Sequence, residues 1–303
     1  MDIQSKIILI SGPTASGKSN FAIKLAKKIN GEIINADSMQ VYKQLKVLTA
    51  RPNKKDQKNI KHYLYGTIDL KKSFSTGKWL KFSIKKIKEI RRRKKIPILV
   101  GGTGLYFQSI VNGLVKIPNV PLKIRKKVRL MQKKDKQKKF YKKLLKLDTK
   151  VKDKFDPNDT QRSIRAFEIK FFTKISMYDW LNRTKPVFKE DEFLKIYIDF
   201  NRTELIRRIS IRVSKMLKEG AIDEVRKFCR QKIKKDHSIN KVIGIDELTK
   251  YLRNQISLEE AKEQISIRTR QYAKRQATWA RSRMISWNKI SPNEISSWIK
   301  KIK

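Results

Sequence analysis

Ile7-Ile8-Leu9-Ile10-Ser11-Gly12-Pro13-Thr14-Ala15-Ser16-Gly17-Lys18-Ser19 is the stretch from which the rest of the chain can be read. Its aliphatic run predicts a strand buried on both faces. Gly12 to Ser19 have the spacing G-x-x-x-x-G-K-S, and Phe21-Ala22-Ile23-Lys24-Leu25-Ala26 then carries a helical pattern. Strand, glycine loop and helix in that order are the setting of a phosphate-binding loop. The glycines let the backbone wrap closely enough for several N–H groups to face one anion. The helix turns its positive N-terminal end to the same place. Lys18 adds a full charge, and the Ser19 hydroxyl is the expected ligand of Mg²⁺. Gly12, Pro13, Thr14, Ala15, Ser16, Gly17, Lys18 and Ser19 are therefore the candidate site for a di- or triphosphate.

Downstream, strand and helix signals alternate. Gly31 is expected to end the first helix, and Glu32-Ile33-Ile34-Asn35 to form a second strand. That strand delivers Asp37-Ser38-Met39-Gln40 to the carboxyl edge of the sheet, where ligands bind in open α/β folds. His62 to Ile68 reads as a third strand. Ser75 caps an amphipathic helix with Trp79, Phe82, Ile87 and Ile90 as its apolar stripe. Pro97-Ile98-Leu99-Val100 is another strand and runs into Gly101-Gly102-Thr103-Gly104. The expectation is an α/β fold: a doubly wound parallel sheet resembling P-loop NTPases.

Strand signals then stop. Lys123 to Lys154 hold 16 Lys+Arg against three Asp, with Phe140, Leu144, Leu147, Val151 and Phe155 at helical spacing. A basic helical insertion is expected over 116–195, between a core over 1–115 and a return to the core with C-terminal helices over 196–303. Ile196-Tyr197-Ile198 is read as the strand that rejoins the sheet, with Asp199 as a helix cap. Arg208 and Arg212 share a helix face four residues apart. Ser257-Leu258-Glu259-Glu260 is a capping signature opening a long basic and aromatic helix. The tail, Ile290 to Lys303, carries no functional signal.

The chain has 303 residues, 39% of them hydrophobic, enough for a substantial core. Its 75 Lys+Arg against 28 Asp+Glu give a formal charge of +47, which calls for a polyanionic partner. Cys229 is the single cysteine, which excludes an internal disulfide and a cysteine-based metal site. Met1-Asp2-Ile3 runs into the first strand without a leader pattern, and no apolar run has the length of a membrane span. The expectation is a soluble cytoplasmic protein, not bound to a membrane, for which a nucleic acid is the better partner.

A phosphate loop in a kinase or NTPase works with a second carboxylate at a strand end. The strand Ile98-Leu99-Val100 ends instead in Gly101-Gly102. Asp37 is then the leading acid or base. Two chemistries stay open on the residues alone: phosphoryl transfer by a small P-loop kinase, or alkyl transfer with the diphosphate as leaving group.

Several segments occur in one order: Gly12 to Ser19, Asp37 to Tyr42, Pro97 to Tyr106, Asp159-Thr160-Gln161-Arg162-Ser163-Ile164-Arg165-Ala166, and Thr269 to Trp279. In these the chain resembles the tRNA dimethylallyltransferase (tRNA isopentenyltransferase) family, in its short bacterial form, over nearly its whole length. The resemblance implies transfer of a dimethylallyl group from dimethylallyl diphosphate to N6 of the adenosine 3′ of the tRNA anticodon, with Mg²⁺. It implies that Gly12 to Ser19 hold the diphosphate, with Lys18 and Arg208 beside it and Ser19 on the metal. Asp37 would take the N6 proton, and Ser38, Met39 and Gln40 would hold the flipped base. Thr103 would line the channel. Arg125, Gln161, Arg162, Ser163, Ile164 and Arg165 would touch tRNA, as would the neighbourhood of Lys241 to Asp246. A single copy of the chain suffices for this activity. The chain departs from the family pattern at Leu48-Thr49-Ala50-Arg51-Pro52, at Lys61-His62 and at Gly244-Ile245-Asp246, where the family usually has a basic third residue.

Overall fold

The computed structural model describes residues 3–234 and 237–302. Met1, Asp2 and Lys303, which belong to the expected leaderless start and to the tail, lie outside the described residues. The strands are β1 (Ile7–Ser11), β2 (Gly31–Asn35), β3 (His62–Tyr63), β4 (Ile96–Gly101), β5 (Phe193–Ile198) and β6 (Asn288–Ile290). The helices are α1 (Lys18–Lys28), α2 (Lys54–Gln57), α3 (Thr76–Arg92), α4 (Gly104–Asn112), α5 (Leu122–Leu147) and α6 (Thr160–Thr173). They continue with α7 (Met177–Asn182), α8 (Arg202–Lys218), α9 (Ala221–Cys229), α10 (Ile245–Leu252), α11 (Leu258–Arg283) and α12 (Ile295–Lys301).

All six strands form one parallel sheet in the order β3-β2-β4-β1-β5-β6. Parallel neighbours need crossovers, and those crossovers cover both faces. Alternate residues of β1 show this. Ile7 and Leu9 pack with Trp79, Ile87 and Phe107 on one face, whereas Ile8 and Ile10 pack with Phe21, Leu25 and Ile302 on the other. Both pairs are fully buried, so the uninterrupted aliphatic run reads as it does because neither face meets water.

The chain divides into two compact units, residues 1–111 with 188–303, and residues 112–187. The expected insertion ran from 116 to 195. The second unit ends earlier because Phe193 already begins β5, pairing with Ile7 of β1. Inside the second unit, Val128, Phe140, Leu144, Val151, Ala166 and Phe167 make a separate core. α5 is broken at Lys136, where φ is 56° and ψ is 170°, so the expected basic helix is two segments joined at a kink.

Four local expectations are corrected. The strand expected over 62–68 stops at Tyr63, because Leu64 and Gly66 turn to positive φ; Ile68 returns only as a single bridge to Tyr42. Gly31 is the first residue of β2, and Asn30, with φ of 52°, makes the left-handed turn after α1. Phe82 is 42% exposed, stacked on Phe74, and the buried stripe of α3 is Trp79, Ser83, Ile87 and Ile90. Asn201, not Asp199, caps α8: its Oδ1 accepts from the N–H groups of Thr203 and Glu204. The caps at Ser75 and Ser257 form as expected, and Asp159 caps α6.

Candidate active site

β1 ends at Ser11 and the phosphate loop begins. Ala15 (φ 65°) and Gly17 (φ 84°) adopt the left-handed conformation that curls the loop round the start of α1. The first turn of a helix leaves its N–H groups without intrahelical acceptors, so α1 offers them to an anion here. Lys18 Nζ donates to Pro13 O at 3.1 Å, closing the loop on itself. Burial pushes the Lys18 ammonium down to about 8, against the pull of Asp37, and Arg212 pushes in the same direction as burial. The shift reflects a cation whose burial Asp37 only partly offsets.

β2 presents Asp37 through Asn35. The Asn35 side chain is fully buried and grips the backbone of Asp37 at both ends. Its Oδ1 accepts from Asp37 N–H at 2.9 Å, and its Nδ2 donates to Asp37 O at 2.9 Å and to Leu64 O at 3.1 Å. The indole N–H of Trp79 donates to Asn35 O at 2.7 Å. Asp37 Oδ1 in turn accepts from the N–H groups of Met39 (2.9 Å) and Gln40 (3.4 Å). Oδ1 therefore holds the turn that follows β2.

A cavity of about 360 Å³ brings these groups together. Lys18, Ser19, Asp37, Gln40, Arg208 and Arg212 line it, with Gly101 at the end of β4. Gly101 is there because no Cβ fits: one would lie 2.1 Å from the backbone carbonyl of Ala36. That close approach of β4 to the end of β2 is what sets Asp37 beside the phosphate loop. Arg208 stacks over the Phe200 ring at 4.5 Å and pairs with Glu204 at 3.1 Å. Arg207, and after it Arg208, hold the Glu204 carboxyl down to about 2.

The remaining sequence candidates of this unit take supporting places. Gly12 and Ser16 are inside the loop, and the Ser16 hydroxyl is buried without a partner among the described residues. Pro13 turns to a different cavity. Ser38 N–H donates to Thr103 Oγ1 at 2.9 Å, so Thr103 braces the Asp37 segment from the side. Met39 packs against the core that holds Tyr42 and Leu45. Gln40 Nε2 donates to the carbonyls of Thr49 (2.8 Å) and Ala50 (3.3 Å). Asp246 pairs with Lys250 at 3.2 Å and lies 3.8 Å from Arg268.

Sequence reasoning missed Arg212 as a group lining this cavity. Arg212 Nη1 donates to Thr14 Oγ1 at 2.9 Å; burial holds its guanidinium below the ordinary range and Asp37 offsets part of this. The four-residue spacing from Arg208 was the available signal. Burial, followed by the charge of Asp37, raises the Tyr272 phenol.

The second unit carries the other candidates. Gln161, Arg162 and Arg165 are exposed along α6. Arg125 and Arg165 lean on the buried Glu168 at 3.8 and 3.7 Å. Ser163 is a correction: it is fully buried, and its hydroxyl accepts from Gln137 Nε2 at 3.0 Å, so its side chain does not face an RNA. Ile164 is half-buried against the core of the unit.

A family model described as IPP transferase matches residues 40–283. The chain belongs to that family. It is 70% identical over 303 residues to the tRNA dimethylallyltransferase of Pelagibacter ubique, covering the whole of this chain and 97% of that protein. To the tRNA dimethylallyltransferase of Rickettsia massiliae it is 43% identical over 282 residues, 93% of this chain and 78% of the other. Two solved structures share the fold. One, the tRNA delta(2)-isopentenylpyrophosphate transferase of Staphylococcus epidermidis, matches at 33% identity and a TM-score of 0.68, covering 98% of each chain. The other, a eukaryotic dimethylallyltransferase acting on tRNA, matches at 30% identity and a TM-score of 0.84, covering 98% of this chain and 76% of that one. These relatives do not favour the kinase reading. Among the described residues no helix is long and apolar enough to cross a membrane.

Proposed function

We propose that this protein transfers a dimethylallyl group from dimethylallyl diphosphate to N6 of the adenosine 3′ of the anticodon in tRNA. The observation that supports it most directly is one cavity lined by both halves of the chemistry: Lys18, Ser19, Arg208 and Arg212 for a leaving diphosphate, and Asp37 for the acceptor. The C1–O bond of the donor breaks as N6 of adenine bonds to C1, and Asp37 Oδ2 takes the proton that N6 gives up. Lys18, Arg208 and Arg212 hold the charge that develops on the departing diphosphate, and their partial burial strengthens that hold.

Mg²⁺ fits this donor set. No cluster of three or more His, Cys, Asp or Glu suited to a metal exists among the described residues, and Mg²⁺ commonly relies on one or two protein oxygens with phosphate and water for the rest. Ser19, exposed at the cavity, is the residue that would hold it. When bound, the ion neutralises part of the diphosphate charge.

The acceptor adenine is stacked inside an anticodon loop and must be flipped out to reach Asp37. Gln40, Ser38 and Thr103 stand on the acceptor side, and Gln40 is fixed by the carbonyls of Thr49 and Ala50. The unit over 112–187 grips the anticodon stem-loop, with Arg125, Gln161, Arg162 and Arg165 as contacts to backbone or loop bases. One chain suffices, and in this reading the reaction is cytoplasmic.

The test incubates the protein with Mg²⁺, unmodified tRNA and radiolabelled dimethylallyl diphosphate, with ATP in a parallel tube. Label in tRNA, mapped to N6 of that adenosine by nuclease digestion and mass spectrometry, is expected. ATP consumption without labelled tRNA would overturn the reading.

A further inference from the structure

We propose that Gln276 is the positioning residue that fixes the distance between the diphosphate cradle and the acceptor base. The inference rests on the transfer reading above. Gln276 lies on α11, and its amide is used at both ends. Oε1 accepts from Thr14 N–H in the phosphate loop at 2.9 Å, and Nε2 donates to Gly102 O in the turn after β4, also at 2.9 Å. The turn carries the link onward. Thr103 N–H donates to Ala36 O at 3.2 Å, and Thr103 Oγ1 accepts from Ser38 N–H at 2.9 Å. Asp37 sits between Ala36 and Ser38. One side-chain amide thus connects the loop that holds the leaving group to the segment that carries the proton acceptor.

The joint has no slack. A Cβ at Gly102 would come within 2.1 Å of Gln276 Nε2. One turn along α11, Trp279 lies against Gly104, where a Cβ would meet the indole ring at 2.4 Å. Thr14 is held a second time by Arg212 at its hydroxyl. Only an amide serves both ends. A carboxylate accepts from Thr14 but cannot donate to Gly102 O, and an aliphatic chain does neither. Gln276 touches neither substrate in this arrangement and acts through Thr14 and Gly102. In-line transfer needs the reacting atoms about 3–3.5 Å apart, and a misplacement of about 1 Å costs roughly 100-fold in rate.

The experiment compares Gln276→Ala, Gln276→Met, Gln276→Glu, Gly102→Ala and the Gly102→Ala/Gln276→Ala pair in single-turnover prenylation. Equilibrium binding of tRNA and of a non-transferable diphosphate analogue is measured alongside. Gln276→Ala and Gln276→Met are expected to slow the transfer step by about 10- to 100-fold while both dissociation constants stay within about threefold. Gln276→Glu should be at least as slow. Gly102→Ala should be slow by itself, because its methyl displaces the amide, and should add nothing to Gln276→Ala. A wild-type transfer rate in Gln276→Ala or Gln276→Met, a loss confined to binding, or additive losses in the pair would each overturn the inference. Absence of label in tRNA with the unaltered protein is the separate result that would overturn the transfer reading itself.

Discussion

Replacing Lys18 with methionine should make the free protein more stable and inactive at once. Lys18 is held at about 8 against 10.5 for an ordinary lysine, with burial as the leading cause and Arg212 adding to it. At about 1.4 kcal/mol per pH unit, the charged form is disfavoured by about 3 kcal/mol at neutral pH. The side chain is half-buried and not sealed, so solvent screening brings the realised figure to about 1–2 kcal/mol. The folded-state value lies below the unfolded one, so the unfolded chain holds this proton more tightly. Wild-type stability should therefore rise relative to Lys18→Met as pH increases from about 8 to 10.5 and level off above that. Denaturant unfolding at pH 7 and at pH 9.5 measures the difference. A methionine of similar length keeps the contacts of the stem and removes the charge, so a gain of about 1–2 kcal/mol at pH 7 that shrinks at pH 9.5 is expected. Equal or lower stability at pH 7 would refute the idea that the cradle stores an uncompensated cation for a diphosphate.

Asp37→Asn keeps Oδ1 for the N–H groups of Met39 and Gln40 but removes the base, so transfer should fall by about 10²- to 10⁴-fold with tRNA affinity within a few-fold; a filter-binding assay showing a large affinity loss would make Asp37 structural. Asn35→Ala leaves the buried backbone groups of Asp37 and Leu64 unpaired, and should cost about 2–4 kcal/mol in denaturant unfolding as well as activity. Reversing the exposed Lys133, Lys134, Lys138 and Lys139 to Glu should weaken tRNA binding and flatten its salt dependence; an unchanged slope in a salt titration would reduce that run to a solvated face.

The elements legible in advance are those whose causes are local. The phosphate loop is a run of eight residues between a strand and a helix, and its backbone can hardly do anything else. Ser75, Asp159 and Ser257 cap their helices because each needs only an N–H two or three residues away. The misreadings came from rival local choices of similar cost. Leu64 takes a left-handed φ and ends β3 early, and Asn201 displaces Asp199 as the cap of α8. The long-range supports of the site were not legible at all. Asn35 reads as an ordinary strand end until Trp79, 44 residues on, donates to its carbonyl. Gln276 lies 262 residues from Thr14 and 174 from Gly102.

By itself the sequence determined the phosphate-loop motif, the parallel α/β class and the basic surplus, because a loop of fixed spacing, a period and a charge count survive without knowing what packs against them. Only the tertiary structure decided which residues share the cavity. In a parallel sheet every pair of neighbouring strands is joined by a long crossover, so groups adjacent at the carboxyl edge are distant along the chain. Asp37, Lys18, Arg208 and Arg212 meet because β2, β4 and β1 are neighbours in that order, with α8 returning to the same edge.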